Sequence, residues 1–580
     1  MTRKVPMPKL PKDFAALIYV HFGLLAMAFG AAWFVHTQST ALPLMDEWDL
    51  LREWADDDSA WHWIWMHHNE HRYPFTKAIW IGTLKLTGYN FAAPQYLTFA
   101  LLFSSALLML WTARGLRGRS HPVDLVFPAL FLHFGHGFNL QMGYQVGFVF
   151  FTYCAAGWLW CAGRLAQGGG NGWAVASTIY AALMIPCGGF GLVFTPIVAF
   201  WLIYLGRRAR IMGKPALRWY CFALASLAVA YSGWIALTMP KQSAPGASPL
   251  EQPGEFLTGA LGYLASAFGT WPLREGSEPW WIVAIASLTA VAYAVGVQTL
   301  ANRLDGLDPR RVAIVAILLA IVGIVLVGAA AAAARGGGMA ERYTSSSAVG
   351  AAAVLLGVSA LGPMRISRRA DWLAGGLALA FAIGLQYANH EPSVNQAFQM
   401  RDAIHALNRD IPGESPLFIG GRHGGTPGVL VGESMAADLR SYRRAGIPAF
   451  DRMPADPAYR THPLPPLPQM DWRMSEAGFR AGESVPEAKL PDPPVGAFGL
   501  RVRATTVKSG GNHKLILRWT DAISGAAHES YAHPHYHSGV AMHLAFRLTG
   551  APTRVRLMAG SAIEGLEIGE PEWLVGEGDR

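Results

Sequence analysis

Windows of about 17–24 residues, apolar and nearly free of charge, recur through the first two thirds of this chain. Each has the length a helix needs to cross roughly 30 Å of hydrocarbon. In order they lie near 14–36, 92–113, 122–138, 143–163, 172–187, 189–206, 218–238, 279–301, 311–334, 346–362 and 370–387. The third to sixth are short or contain glycine, so their edges are soft. An average soluble protein carries roughly 25% charged residues. Here 15% of 580 residues are charged and 52% are hydrophobic. An ordinary soluble enzyme is excluded. The expected fold is a polytopic α-helical membrane protein of about eleven transmembrane helices. A transmembrane domain over 1–387 is followed by a C-terminal extracytoplasmic domain over 388–580.

The basic residues sit between the apolar windows, which sets topology by the positive-inside rule. Arg3, Lys4, Lys9 and Lys12 precede the first window and predict a cytoplasmic N-terminus. Arg114, Arg117 and Arg119 follow the second window, and Arg164 the fourth. Arg207, Arg208 and Arg210, then Arg303, Arg310 and Arg311, then Arg365, Arg368 and Arg369, fall on the same side. That parity places 37–91, 239–278, 335–345 and everything after about 388 outside. Residues 255–271 are apolar enough to threaten the count, and are read as an interfacial or re-entrant helix. The first window is too long for a cleaved signal peptide, and no small-residue cleavage site follows it. The net charge of +8 therefore reads as topology, and no nucleic-acid partner is expected. Cys154, Cys161, Cys187 and Cys221 lie in or near spans, so no disulfide framework is expected outside.

After Tyr387 the chain turns polar and rich in Pro and Arg. Helices are expected over 395–408 and 430–446, and an extended Pro-rich stretch over 453–469. Alternation predicts strands over 496–508, 513–520, 540–548 and 553–559. The tail is thus expected to be a small α+β or β-rich domain.

The first outer loop, 37–91, concentrates the chemistry. It opens on Asp46-Glu47-Trp48-Asp49 and continues to His67-His68-Asn69-Glu70-His71-Arg72-Tyr73. Carboxylates at the end of a membrane span are costly unless they face water, a partner or a substrate. The loop also holds Trp48, Trp54, Trp61, Trp63, Trp65 and Trp80, and tryptophan favours the headgroup level. Asp46 or Glu47 could instead cap the next helix. His67, Glu70 and His71 could hold a metal, since helical spacing would put His67 and His71 one turn apart. They could equally make hydrogen bonds to a ligand, or form a structural polar cluster with His68. Cations for a phosphate are available at Arg72 and Lys77, at Arg342 beside Tyr343, and at Arg335 before Gly336-Gly337-Gly338. Snorkelling toward lipid phosphates is the alternative for each. His533, His535 and His537 could hold a metal, but read first as an exposed loop. His133, His136, Asn139, Gln141 and Gln145 could line an acceptor cavity, but read first as the water-facing turn of a short hairpin.

An acidic motif directly after the first span, many spans and an outer C-terminal domain together resemble the GT-C superfamily of integral-membrane glycosyltransferases. The residues carrying the resemblance are Asp46-Glu47-Trp48-Asp49 and Glu341-Arg342-Tyr343. It implies a bacterial inner-membrane enzyme that moves a sugar, with inversion, from a polyprenyl-phosphate donor to a glycan, lipid or protein acceptor. Asp46 would be the base, with Glu47 as the near alternative. Arg342, Tyr343, Arg335 and Arg72 would hold the donor phosphate. Asp49, His67, His68, Glu70 and His71 would contact donor or acceptor. Some members use a divalent cation and others do not, so no cofactor is fixed. Two rival readings share the membrane layout: a flippase for lipid-linked glycans, and an O-antigen ligase or polymerase.

Overall fold

The structure is a computed structural model. It describes residues 13–57, 59–68, 71–239, 250–269, 308–334, 341–360, 367–423, 435–464, 487–491, 493–495, 497–506, 515–532, 541–559 and 566–576. The chain forms two compact units. One comprises residues 1–39, 64–85 and 92–397, and the other residues 40–63, 86–91 and 398–580.

The first unit is helical. Six described helices are long and apolar enough to cross a membrane: Phe14–Gln38, Ala92–Arg117, Gly143–Ala166, Pro215–Thr238, Pro309–Ala333 and Glu341–Ala360. Other windows resolve differently. Residues 122–138 do not form one helix. They break into the 3-10 turn Pro122–Leu125, the helix Val126–Phe131, the turn Phe134–His136 and the start of the helix Gly137–Gln141. Residues 172–187 give a 14-residue helix, Asn171–Met184, that ends in the turn Ile185–Cys187. At 1.5 Å per residue that helix is about 21 Å long, short of the hydrocarbon thickness. Beyond Gly188, a one-turn helix leads into Thr195–Ile211. Residues 279–301 lie outside the described residues. Residues 253–265 form a 13-residue helix whose last turn is buried, too short to span.

The centre of this unit is the parallel pair Ala92–Arg117 and Val146–Ala166. Trp111 meets Trp160 at 6.0 Å between ring centroids, and a Cβ on Gly163 would lie 3.2 Å from Thr112. Charged groups gather at one end. Asp13 accepts from the Ser120 amide at 2.9 Å, which with Arg114 nearby lowers its pKa. Arg117 pairs with Asp124, and His121 meets Asp371 at 2.7 Å. The start of the first span, the end of the second and the start of the helix Arg368–Asp410 thus share one end. That is the grouping the arginine clusters require of these three segments.

His133, His136, Asn139, Gln141 and Gln145 are not a water-facing turn: all are buried. They are tied inward instead. Gln141 Nε2 donates to the Ala397 carbonyl at 2.8 Å, and His136 Nε2 lies 2.9 Å from the Leu130 carbonyl.

The second unit ends in two four-stranded antiparallel sheets. After β1 (His67–His68) and β2 (His71–Arg72) of the first unit, the strands are β3 (Tyr459–Pro463), β4 (Glu487–Lys489), β5 (Ala497–Thr506), β6 (Leu515–Asp521), β7 (Ala527–Ala532), β8 (Ala541–Arg547), β9 (Pro552–Ala559) and β10 (Leu566–Gly576). The sheet orders are β3-β10-β5-β8 and β4-β9-β6-β7. Counting these eight strands one to eight gives 1-8-3-6 and 2-7-4-5, the double Greek key of a jelly roll. Alternate residues of both sheets fill one core, among them Leu500, Val502, Phe546, Leu517, Leu557 and Trp573. The helix Pro416–His423 covers the other face of the first sheet through Leu417 and Phe418, which pack on Ala545 and Leu574.

Candidate functional site

Asp46 opens the helix Asp46–Asp56, whose first turn carries Asp46, Glu47 and Asp49. Three carboxylates there complement the partial positive charge of a helix N-terminus. The two leading carboxylates differ sharply in environment. Glu47 is fully buried. Its Oε2 accepts from the Leu44 amide at 2.9 Å while its own amide donates to the Leu44 carbonyl at 3.2 Å. Glu47 therefore closes the turn that starts the helix. Asp46 is half-buried, and no hydrogen bond or ion pair occupies its carboxylate among the described residues. Capping thus accounts for Glu47 and leaves Asp46 unaccounted for.

The residue before Asp46 is strained. Met45 has φ 51° and ψ −124°, a left-handed conformation that costs a non-glycine residue about 1–3 kcal/mol. It persists because both sides are held. Glu47 fixes Leu44, and Trp48, Leu50 and Leu51 are buried on the far side. The strained backbone sets the angle at which Asp46 leaves the chain.

The helix is anchored from a distant part of the sequence. Trp48 packs between Tyr442 and Phe450 with its ring tilted to both, at centroid distances of 6.0 and 5.9 Å. The Tyr442 hydroxyl donates to the Trp48 carbonyl at 2.6 Å. Burial pushes the Tyr442 pKa well above its usual value, so it remains a donor throughout the physiological range. One turn on, Arg52 bonds Asp49 at 2.9 Å and reaches the buried Asp438 at 3.7 Å. Asp49 is therefore engaged by Arg52.

The histidine segment lies in the first unit as a β-hairpin, not a helix. Strand β1 is His67–His68 and β2 is His71–Arg72, with His67 opposite Arg72 and His68 opposite His71. The one-turn relation of His67 to His71 therefore does not arise. His67 is driven toward its neutral form by desolvation first and by the charge of Arg72 second. His68 is buried, its ring edge-on to Tyr144 at 5.8 Å. Arg72 donates to the Trp65 carbonyl and lies over the Trp234 ring at 5.3 Å. Glu70 lies outside the described residues. Among the described residues no group of three or more His, Cys, Asp or Glu could hold a metal ion, and a guanidinium opposite His67 disfavours a cation there. Lys77 is fully buried and donates to the Met66 carbonyl at 3.3 Å, so it does not snorkel.

Arg342 and Tyr343 sit in the turn Glu341–Tyr343. Arg342 is half-buried and lies 5.5 Å over the Tyr343 ring. Arg335 and the second histidine cluster, His533, His535 and His537, lie outside the described residues. Tyr343 is buried, and it lines a cavity of about 760 Å³ within the first unit. The other walls are Tyr73, Phe148, Cys187, Gly189, Phe190, Leu192, Val193, Thr195, Pro196, Val229, Ser232, Gly233, Ala236, Met239, Ala331 and Ala332. Gly188 admits Tyr73 to this wall. At φ 117°, a Cβ there would fall 2.2 Å from the ring. The lining is aliphatic and aromatic, with Ser232 and Thr195 bonded to each other at 2.5 Å and so masked. Such a cavity accepts hydrocarbon and offers nothing to a free sugar.

Three contributors escaped the sequence reading. Tyr442 and Phe450 lie nearly 400 residues from the helix they anchor, and no local pattern announces the contact. The cavity is walled by apolar residues from segments far apart in sequence, and no local pattern brings them together.

No family model matches the chain, and no curated protein matches it. Among solved structures, one similar chain is the arabinosyltransferase EmbB from Mycobacterium smegmatis, determined by single-particle cryo-EM, at 12% identity and a TM-score of 0.33. The match covers all of this chain and 66% of that one.

Proposed function

We propose that this membrane protein is an inverting glycosyltransferase that takes its sugar from a polyprenyl-phosphate donor on the outer membrane face, with Asp46 as general base. The observation that carries the reading is the contrast between the two leading carboxylates. Glu47 accepts from the Leu44 amide, whereas Asp46 follows a strained backbone and its carboxylate has no hydrogen bond or ion pair among the described residues. Strain of this kind is kept where a side chain must be aimed. A phosphate leaving group needs no strong acid. The protein must supply a base for the acceptor hydroxyl and cations for the phosphate.

The apolar cavity supports a lipid-linked donor. Its wall includes Tyr343, and the next residue back is Arg342. An isoprenoid chain in the cavity would bring its phosphate end within the reach of a cation adjacent in sequence. Arg72 is the weaker candidate, because Trp65 and Trp234 already occupy it. A flippase would also use the cavity, but would leave Asp46 without a role.

The test uses purified full-length protein and a panel of synthetic polyprenyl-phosphate hexoses and pentoses, with release of polyprenyl phosphate as the signal. Asp46→Asn keeps shape and hydrogen bonding but cannot take a proton. Turnover should fall by about 10²–10⁴ with the thermal midpoint unchanged. Native turnover in Asp46→Asn would remove this reading.

A further inference from the structure

We infer that Tyr442 is a positioning residue for Asp46, so that the C-terminal region serves the reaction through the first-loop helix and is not an appendage. This rests on the reading of Asp46 as the base.

The helix Asp46–Asp56 is only 11 residues long. Isolated helices of that length are marginal in water, so its position must come from packing. That packing is supplied within its own unit by the helices Met435–Arg444 and Pro448–Asp451. Trp48 is buried between Tyr442 and Phe450, and those two rings meet each other at 5.1 Å. The three rings form one closed contact. The 2.6 Å bond from the Tyr442 hydroxyl to the Trp48 carbonyl then fixes the helix along its axis and in rotation. Ring contacts alone do not fix rotation, because aromatic pairs tolerate a range of angles. Trp48 is two residues from Asp46. A helix advances 100° per residue, so a slip in rotation swings the Asp46 carboxylate directly. The pair Arg52–Asp438 repeats the constraint one turn further on, at 3.7 Å. Met45 is strained, so without these restraints the first turn would relax and Asp46 would move. A misplacement of about 1 Å can cost about a hundredfold in rate.

The test is a double-mutant cycle in the full chain, using the same donor panel. Tyr442→Phe removes the hydroxyl and keeps the ring. Turnover per folded molecule should fall by about tenfold or more, with donor KM unchanged. In the Asp46→Asn background the same substitution should cost less than about twofold, because a misplaced base matters only while a base is present. Val555→Ala serves as the control. It empties part of the jelly-roll core, where Val555 is fully buried, and should lower thermal stability without lowering turnover per folded molecule. An equal loss from Tyr442→Phe in both backgrounds, with Asp46→Asn itself severely impaired, would overturn the positioning role and leave the base intact. An active Asp46→Asn variant would overturn both. A Tyr442→Phe effect no larger than that of Val555→Ala would reduce Tyr442 to a structural residue.

Discussion

Gly233 offers a direct test of what the apolar cavity holds. It lies on the helix Pro215–Thr238 and lines the cavity, and a Cβ placed there meets no atom within 4 Å. A first carbon can therefore be added without a clash, and a longer side chain starts from open space. The series Gly233→Ala, Gly233→Val and Gly233→Leu adds one, three and four carbons. Each added carbon displaces about one carbon of a bound isoprenoid. At about 0.8 kcal/mol per methylene removed from hydrocarbon contact, Leu forfeits about 3 kcal/mol. At 1.4 kcal/mol per decade, the Kd for polyprenyl phosphate should rise about a hundredfold in Leu and about fourfold in Ala. Stability should move the other way. Replacing glycine inside a helix by alanine gains about 0.5–1 kcal/mol, so the thermal midpoint should hold or rise. The assay is titration of the detergent-solubilised protein with polyprenyl phosphate, following intrinsic tryptophan fluorescence. A Kd that stays flat across the series would refute the cavity as the lipid site. A Kd that rises together with a falling thermal midpoint would show that the substitutions had merely damaged the fold.

Two further outcomes follow from individual carboxylates. Glu47→Ala would leave the buried Leu44 amide without its acceptor, which costs about 1–3 kcal/mol and should lower the thermal midpoint. Glu47→Gln keeps an acceptor oxygen and should be much milder, and equal midpoints for Ala and Gln would show that Glu47 does not hold the turn. Asp521, at the end of β6, accepts from the Ser524 hydroxyl first and from the Ala551 and Ile523 amides next, which hold its pKa at about 2 against an ordinary 3.8. Its folded pKa is depressed, so its contribution to the jelly roll is complete above about pH 3.8 and fades as pH falls through 2. Asp521→Asn should flatten the dependence of stability on pH between those values, read from hydrogen exchange of the strand amides around Asp521 in the full chain, and an unchanged curve would refute the assignment.

The fold was legible where hydrophobicity has a period and illegible where tertiary contacts override it. The windows at 14–36, 92–113, 143–163 and 218–238 are long and unbroken, and each became a helix of 21 residues or more. The window at 122–138 carries as much apolar surface but also Pro122, Pro128, Gly135 and Gly137. Its chain folds back in short turns, because neighbouring helices supply the partners it needs. Ser393 Oγ donates to the Phe134 carbonyl at 2.6 Å, and Gln386 donates to the Leu132 carbonyl at 3.0 Å. Broken backbone at membrane depth is tolerated only with such internal partners, and sequence alone does not name them. In the tail, β5, β6, β8 and β9 alternate cleanly and were readable. β4 has 3 residues and β3 has 5, too few to show a period. β7 and the 11-residue β10 were missed as well, and the jelly-roll order needs all four, so the topology stayed hidden although half of its strands did not.

The site divides along the same physical line. Residue type and position relative to a span make Asp46, Glu47, Arg342 and Tyr343 candidates, because charge near hydrocarbon is costly and demands a reason. Type and position do not separate Asp46 from Glu47. The two are adjacent, both acidic and both in the first turn of a helix. What separates them is a backbone angle at Met45 and one amide at Leu44, neither of which has a sequence signature. The histidines failed for the same cause. Read with helical spacing they gather donors on one face, and read with the hairpin register they place His67 against Arg72. A two-residue strand leaves no periodic trace, so only the paired backbone reveals it. Tyr442, nearly 400 residues on, bonds the Trp48 carbonyl two residues from Asp46. A base proposed at Asp46 needs a rigid support, and an 11-residue helix cannot provide its own.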